Sequence, residues 1–388
     1  MSFFLTEDQL AIREAVTKLC ADFDADYWLN CDNEGQFPQQ FVNAIREGGW
    51  LGIAMPEEFG GSGLGITEAS LMMQAVTQSG AGFTGASAIH LNVFGLNPVV
   101  VFGSEEQKRR MLPPMISGER NSCFGVTEPN AGLDTLSLET RAERSGDGYI
   151  VNGQKHWTSM AQRADKILLL ARTTPKDEVE KRTHGLSLFF TDFNRDYVEV
   201  REIPKMGRKA VDSNAVFFDN FPIPHEDLIG EEGKGFHYIL HGLNPERILL
   251  AAESVGLGRA ALQRACTYAQ DRVVFGRAIG QNQGIQHPLA KCWIDLEAAE
   301  LLAYNAAQLY DAEQECGGQA NAAKYFAAEA GFHACETAML THGGMGYAKE
   351  YHVERYMREM MIPRIAPVSR EMIFNYIAER ELGLPRSY

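Results

Sequence analysis

Cys123-Phe-Gly-Val-Thr-Glu-Pro-Asn-Ala-Gly-Leu-Asp134 joins a strand to a glycine-containing turn. A short polar strand end of this kind offers backbone N–H groups to whatever lies against it, although an ordinary β-turn has the same composition. The flanking sequence changes period on either side of it. Upstream, from Thr6 to about Ser117, the pattern is helical: Thr6 and Gln9 make a capping box, and Leu10, Ile12, Val16, Leu19 and Cys20 mark an apolar face. A glycine-rich break, Glu58-Phe-Gly-Gly-Ser-Gly-Leu-Gly65, separates two such stretches. It lacks the strand before and helix after that a phosphate loop requires, so it reads as a turn.

Downstream, from about Asn121 to Gly230, the period shortens. Tyr149–Gln154, Ile167–Ala171, Leu186–Thr191, Val198–Ile203 and Ala215–Asp219 are short strands with turn residues between them, which makes a small β domain. From about Glu231 to Tyr388 helices return. Ile248–Arg272, Gly284–Cys316 and Ala320–Thr341 are long and Ala/Leu-rich, with apolar residues at three- and four-residue intervals. Long helices with no sheet between them suggest a bundle. The chain is helical, then β, then helical.

Bulk properties exclude several function classes. The 388 residues, 45% apolar and 22% charged, are enough to bury a sizeable core. A formal net charge of −15 does not suit nucleic acid or an anionic membrane, whose phosphates need clustered Lys and Arg. Seven dispersed cysteines, with no CxxC pair and no Cys/His ligand spacing, predict reduced thiols in a cytoplasmic setting, with neither a disulfide framework nor a metal site. The start, MSFFLTEDQL, lacks a basic segment followed by an apolar run, so no signal peptide is expected. No apolar run is expected to be long enough to span a bilayer.

With the segments that follow, the 123–134 turn resembles the acyl-CoA dehydrogenase family, whose signature there is Thr-Glu-Pro-x-Ala-Gly-Ser-Asp. Leu133 replaces the usual Ser. Asn152-Gly-Gln-Lys-His-Trp-Thr-Ser159 resembles the family's Gly-x-Lys-x-Trp-x-Ser/Thr strand. Met206 to Asp219, Pro222-x-Pro224 and Leu228 to Phe236 are similar to its exit from the β domain. Arg272-Val-Val-Phe-Gly276 with Gln283, and Thr341-His-Gly-Gly-Met-Gly-Tyr347, match further family stretches in order and spacing. The resemblance covers nearly the whole chain. It implies an α+β multidomain fold: an N-terminal all-α domain over 1–120, a middle β-barrel-like domain over 121–230, and a C-terminal four-helix bundle over 231–388.

The resemblance implies FAD as cofactor and an acyl-CoA as substrate. It places Phe124, Val126, Thr127, Gly132 and Leu133 along the flavin, with Trp157 beside the isoalloxazine and Thr158 and Ser159 next to it. Arg272 and Gln283 would reach the FAD of a neighbouring subunit, Arg272 pairing with its pyrophosphate, and Phe275 is carried over as a cofactor-binding position. Thr341, Gly343 and Gly344 would lie close to the adenosine diphosphate, where glycine lets backbone approach phosphate. Ser369 and Glu371 are carried over as cofactor-binding positions, and Leu133, Asn244, Glu246 and Arg247 as substrate-binding ones. A homotetramer, a dimer of dimers, is implied, with an electron-transfer flavoprotein as electron acceptor.

The implied reaction needs a carboxylate. An acyl-CoA α-hydrogen is weakly acidic, so a positioned base takes it while the β-hydrogen leaves as hydride toward flavin N5. Most of the family carries that base in a C-terminal Tyr-Glu-Gly-Thr segment, but this chain reads Ile365-Ala-Pro-Val-Ser369, with Pro367 in the place of the Glu. The isovaleryl and long-chain members place the Glu just before an Arg at the start of a helix. Here that pair is Glu246-Arg247, after Asn244 as expected N-cap and Pro245 in the first turn. Glu246 is thus the expected base. The alternative role is a first-turn acid facing the helix dipole. The dipole and Arg247 would lower its pKa, and burial would raise it. Proline also lacks the backbone N–H that the family uses on the thioester carbonyl. Two other readings remain open at this point: a flavin oxidase, monooxygenase or thioester elimination on the same fold, and a DNA-contacting relative, which would need a basic patch.

Overall fold

The computed structural model describes residues 5–387, so the reading of Met1–Phe4 lies outside it. The N-terminal region holds α1 (Glu7–Cys20), α2 (Ala25–Glu34), α3 (Gln39–Glu47), α4 (Ile66–Val76), α5 (Gly82–Phe94), α6 (Asn97–Phe102) and α7 (Glu105–Ile116). The capping box starts α1: Gln9 N–H donates to Thr6 Oγ1 at 3.2 Å and Thr6 N–H to Gln9 Oε1 at 3.0 Å. The glycine-rich break is a turn, with Gly60 and Gly63 at φ 94° and 63° and Gly63 N–H donating to Met55 O at 2.8 Å. The start of α4 just after it is capped from within the fold, since Asp311 accepts from Ile66 N–H at 2.7 Å and Thr67 N–H at 2.8 Å.

One expectation is corrected here. The helical stretch Ile66–Phe102 is long and apolar enough to cross a bilayer. In this fold most of it is buried, and a π turn over Thr77–Ala81, with Gly80 at φ 101°, kinks it. Its apolar surface serves the protein core: Val76 and Ala81 pack with the first three helices, and Phe83 packs into the C-terminal bundle.

The middle region is an eight-stranded sheet. It comprises β1 (Ser122–Gly125), β2 (Arg141–Ser145), β3 (Gly148–Ser159), β4 (Lys166–Arg172), β5 (Leu186–Asp192), β6 (Val198–Glu202), β7 (Ser213–Pro224) and β8 (Leu228–Ile229). The order is β6-β7-β3-β2-β4-β5-β8, and β1 runs parallel to β4 with Cys123 opposite Ile167. Every residue of β4 is buried, which is why it reads as a continuous apolar run.

The C-terminal region holds α8 (Gly235–His241), α9 (Leu243–Asp271), a hairpin of β9 (Val273–Val274) and β10 (Arg277–Ala278), α10 (Gln283–Asp311), α11 (Gly317–His342), α12 (Val353–Glu359), α13 (Ile362–Ile365) and α14 (Arg370–Arg380). The bundle is made by α9, α10 and α11, with the shorter α14 packed on α11. Its seam is lined with alanine and glycine: a Cβ on Gly258 would stand 3.0 Å from the Gly331 backbone. α10 stops at Asp311, short of Cys316, because the Asp311 carboxylate turns back to cap α4 and Glu313 reverses the chain at φ 54°.

Arg355 and Glu359 of α12 clamp the kink to the bundle. Arg355 donates to Gly80 O at 2.6 Å and pairs with Glu359 at 3.2 Å, and Glu359 accepts from Thr84 N–H at 3.0 Å and Thr84 Oγ1 at 2.7 Å. Arg355 and Glu359 are buried. All seven cysteines are free thiols.

Candidate active site

Glu246 sits where the three regions meet. It lines a narrow apolar cavity with Phe94, Gly95 and Pro98 of the N-terminal region, Phe124 of β1, and Ile239, Gly242 and Leu243 of the C-terminal region. No hydrogen bond or ion pair holds its carboxyl among the described residues, and burial pushes its pKa up to about 7. His90, Arg247 and Lys324 pull the other way, and Glu253 adds to the rise. Burial therefore outweighs the Arg247 charge that the sequence set against it. A carboxyl poised near neutral pH in an apolar cavity is suited to general-base work.

The expected N-cap is corrected. The backbone is already helical at Gly242, φ −77° and ψ −12°, so α9 begins at Leu243 and Asn244 lies inside its first turn. Asn244 instead accepts from Arg247 Nη1 at 3.0 Å, which orients the Arg next to Glu246. Pro245 costs no bond there, because the first-turn N–H groups have no intrahelical acceptor.

Pro367 lies between α13 and α14, and Lys324 of α11 reaches the same loop, donating to Val368 O at 2.6 Å. Burial pulls the Lys324 ammonium down to about 8, with the Glu246 carboxylate opposing. Ser369 caps α14 by accepting from Met372 N–H. Glu371 is exposed and paired with Arg370 at 2.7 Å, a pairing that holds its carboxyl low. It is no second base.

The two middle-region motifs are tied to each other. Lys155 is fully buried; its ammonium donates to Glu128 Oε1 at 2.8 Å and Val126 O at 3.0 Å, and His156 N–H donates to Thr127 O at 2.8 Å. Glu128 also accepts from the N–H groups of Glu139 at 2.7 Å and Thr140 at 3.0 Å. These bonds fix the Val126–Glu128 strand end against β3. Just beyond, β3 loses register between Lys155 and Thr158, and Trp157 takes φ 60°. A bulge of this kind re-aims a side chain, and Trp157 is turned outward, 54% exposed. Among the described residues Thr158 Oγ1 is buried without a partner, while Ser159 pairs with Ser213 in the ladder. Gly132 and Leu133 lie on the exposed turn.

The remaining predicted residues gather elsewhere. Arg272, Phe275, Thr341, Gly343 and Gly344 line one cleft of about 700 Å³, floored by the stacked rings of Tyr268 and His342. A side chain on Gly343 or Gly344 would meet nothing within 4 Å, so the backbone at the end of α11 is open to a ligand opposite Arg272. Gln283 is exposed at the start of α10, next to Asn282 of the cleft wall. Phe275, at φ 52° on the hairpin tip, is wholly exposed. This cleft lies at the far end of α9 from Glu246. At 1.5 Å per residue, the stretch of α9 between Glu246 and the cleft residue Tyr268 spans roughly 33 Å.

The sequence reading missed His90, Glu253 and Lys324. Their only signal was an ionisable residue inside an otherwise apolar or alanine-rich helix.

The scaffold is helical, then sheet, then helical, with the Glu246 carboxyl in an apolar cavity at the junction and a strand-bulge Trp157 facing outward. Acyl-CoA dehydrogenase N-terminal, middle and C-terminal domain models match residues 6–119, 123–221 and 233–382. The acyl-CoA dehydrogenase FadE12 of Mycobacterium tuberculosis (strain ATCC 25618 / H37Rv) is 37% identical over 396 residues, covering 100% of this chain and 99% of that protein. Subunit CarC of the caffeyl-CoA reductase–Etf complex of Acetobacterium woodii is 33% identical over 335 residues, 85% of this chain and 86% of its own. The solved glutaryl-CoA dehydrogenase–glutaryl-CoA complex superposes with a TM-score of 0.93 at 31% identity, covering 100% of this chain and 98% of that one. The chain belongs to the acyl-CoA dehydrogenase family, flavin-dependent oxidoreductases acting on CH–CH groups.

Proposed function

We propose that this protein is an FAD-dependent acyl-CoA dehydrogenase in which Glu246 removes the α-proton of an acyl-CoA thioester. The observation that carries the reading is the unpaired Glu246 carboxyl, held near pKa 7 in an apolar cavity beside Phe124. FAD suits the residues present: open backbone at Gly343 and Gly344 faces Arg272, and the buried Thr158 hydroxyl beside Trp157 lacks a partner. Bound there, the flavin supplies the two-electron acceptor for the β C–H bond. Phe124, Val126, Thr127, Gly132, Leu133, Trp157, Thr158 and Ser159 bind its ring side, with Ser369 and Glu371 at the start of α14, just after the loop that Lys324 holds. Asn244 orients Arg247, and the two position the thioester end with Leu133.

Because the Arg272 cleft is so far from Glu246 in one chain, Arg272, Phe275, Gln283, Thr341, Gly343 and Gly344 serve the FAD of a neighbour, in a homotetramer built as a dimer of dimers. Exposed Phe275, Trp293, Ile294 and Leu340 supply apolar contact surface for it. An electron-transfer flavoprotein is the acceptor we favour, given that the CarC relative is named as part of an Etf complex. The free thiols accord with a cytoplasmic setting.

A panel of acyl-CoAs mixed with the yellow holoenzyme tests the reading. At least one should bleach the flavin and yield the α,β-unsaturated thioester, and Glu246→Gln should lose bleaching by several orders of magnitude while keeping FAD. Bleaching of Glu246→Gln at close to the wild-type rate would remove Glu246 as the base.

A further inference from the structure

Among the charges that pull the Glu246 carboxyl down, His90 acts most strongly, ahead of Arg247 and Lys324. His90 lies on α5, one turn before Phe94. Its Nδ1 stands 2.6 Å from Glu253 Oε1, and the two side chains are only 12% and 2% exposed. The other ring nitrogen, Nε2, is buried with no partner among the described residues. Glu246 and Glu253 are two turns apart on α9 and so share a face, and α9 packs against α5. The Phe94 ring sits edge-on to His90 at 4.5 Å and lines the same cavity as Glu246. A histidine locked by a carboxylate at one nitrogen has its orientation fixed and its second nitrogen directed.

We propose that His90 is a positioning residue for the base: clamped by Glu253, it stands as an imidazolium on the α5 side of the Glu246 cavity, and its charge offsets part of the burial that holds the Glu246 proton, making that carboxyl a readier proton acceptor. This rests on the reading of Glu246 as base. Burial disfavours the charged ring, but the Glu253 charge and hydrogen bond, helped by Glu246, outweigh it and raise the His90 pKa. Arg208 opposes; it comes from the β6–β7 connection and is held on α5 by a 2.7 Å bond to Ser87. The other groups facing Glu246 are Arg247 and Glu253 on α9 and Lys324 on α11. A pair that merely tied α5 to α9 would have no bearing on the protonation of Glu246.

Stopped-flow flavin reduction by a good acyl-CoA, followed from acid to alkaline pH, separates these roles. His90→Gln retains a donor for Glu253 but no charge. The midpoint of its profile should move up by about one pH unit, with about tenfold slower reduction on the acid side and a loss that shrinks toward alkaline pH. A rate lowered equally at every pH, with the midpoint unmoved, would leave His90 a structural tie and overturn the proposal. Glu246→Gln, run alongside, separates the two claims: if it is reduced normally, the base reading fails and takes the proposal with it. If His90→Gln does not hold its flavin, the wild-type ring is followed by NMR in histidine-labelled holoenzyme. An imidazolium at pH 7 supports the proposal, and a neutral ring overturns it.

Discussion

At the scale of the residue, Glu246 shows how environment decides role. A first-turn glutamate is ordinarily an exposed acid that complements the helix dipole. Here α8 runs into α9 with almost no break, so the residue faces an apolar cavity in place of water. Its carboxyl, with an ordinary value of 4.5, rises to about 7. Flavin reduction should accordingly increase with pH through about 7, as the base loses its proton. The same shift affects stability. The folded state holds this proton more tightly than the unfolded state, so the group's stabilisation is complete below pH 4.5 and gone once pH has risen through about 7. Glu246→Gln should therefore melt at a higher temperature than wild type at pH 8, with a smaller gain at pH 5. Equal melting temperatures at both pH values would mean that the carboxyl is not perturbed by burial.

At the scale of the element, two connections hold the site together. The Arg355–Glu359 clamp joins α12 to the kink between α4 and α5, the element that carries His90 and Phe94 to the cavity. Removing one partner of a buried pair leaves the other uncompensated, so Glu359→Ala should destabilise by about 3–5 kcal/mol in denaturant melts. A cost within experimental error would show that Arg355 finds another partner or water. The loop between α13 and α14 is the second connection. Lys324 already fastens it through Val368 O, so Pro367→Gly, which restores an N–H, should keep the loop in place. Its flavin content should match wild type, and its reduction rate should equal or exceed it. A tenfold or larger drop would assign proline a shaping role that the Lys324 bond does not cover.

At the scale of the whole molecule, the two residue sets at opposite ends of α9 are the basis for proposing a site shared between chains. Sedimentation should give a tetramer, or at least a dimer, carrying one FAD per chain. Arg272→Ala should weaken FAD retention by about tenfold or more if, as proposed, Arg272 makes a charge-assisted contact to the pyrophosphate. A monomer that keeps FAD as tightly as wild type would refute the shared site.

Much of this was legible in the linear order of residues. Capping at Thr6, the buried runs of β4 and β5, and alanine-rich helices with period near 3.6 are local patterns, and they determined the helical–sheet–helical order because backbone geometry acts over a few residues. Motif resemblance added the candidate residues one at a time. What lay beyond it was long-range. Asp311 ends α10 because it caps α4 across the fold, and a membrane-length apolar stretch became core because a kink folds it onto its own protein. Only the tertiary structure could settle whether burial or Arg247 governs the Glu246 proton. Desolvation depends on which distant segments close over a group, and the electrostatic influence of His90 and Lys324 on it exists only once α5, α9 and α11 are packed.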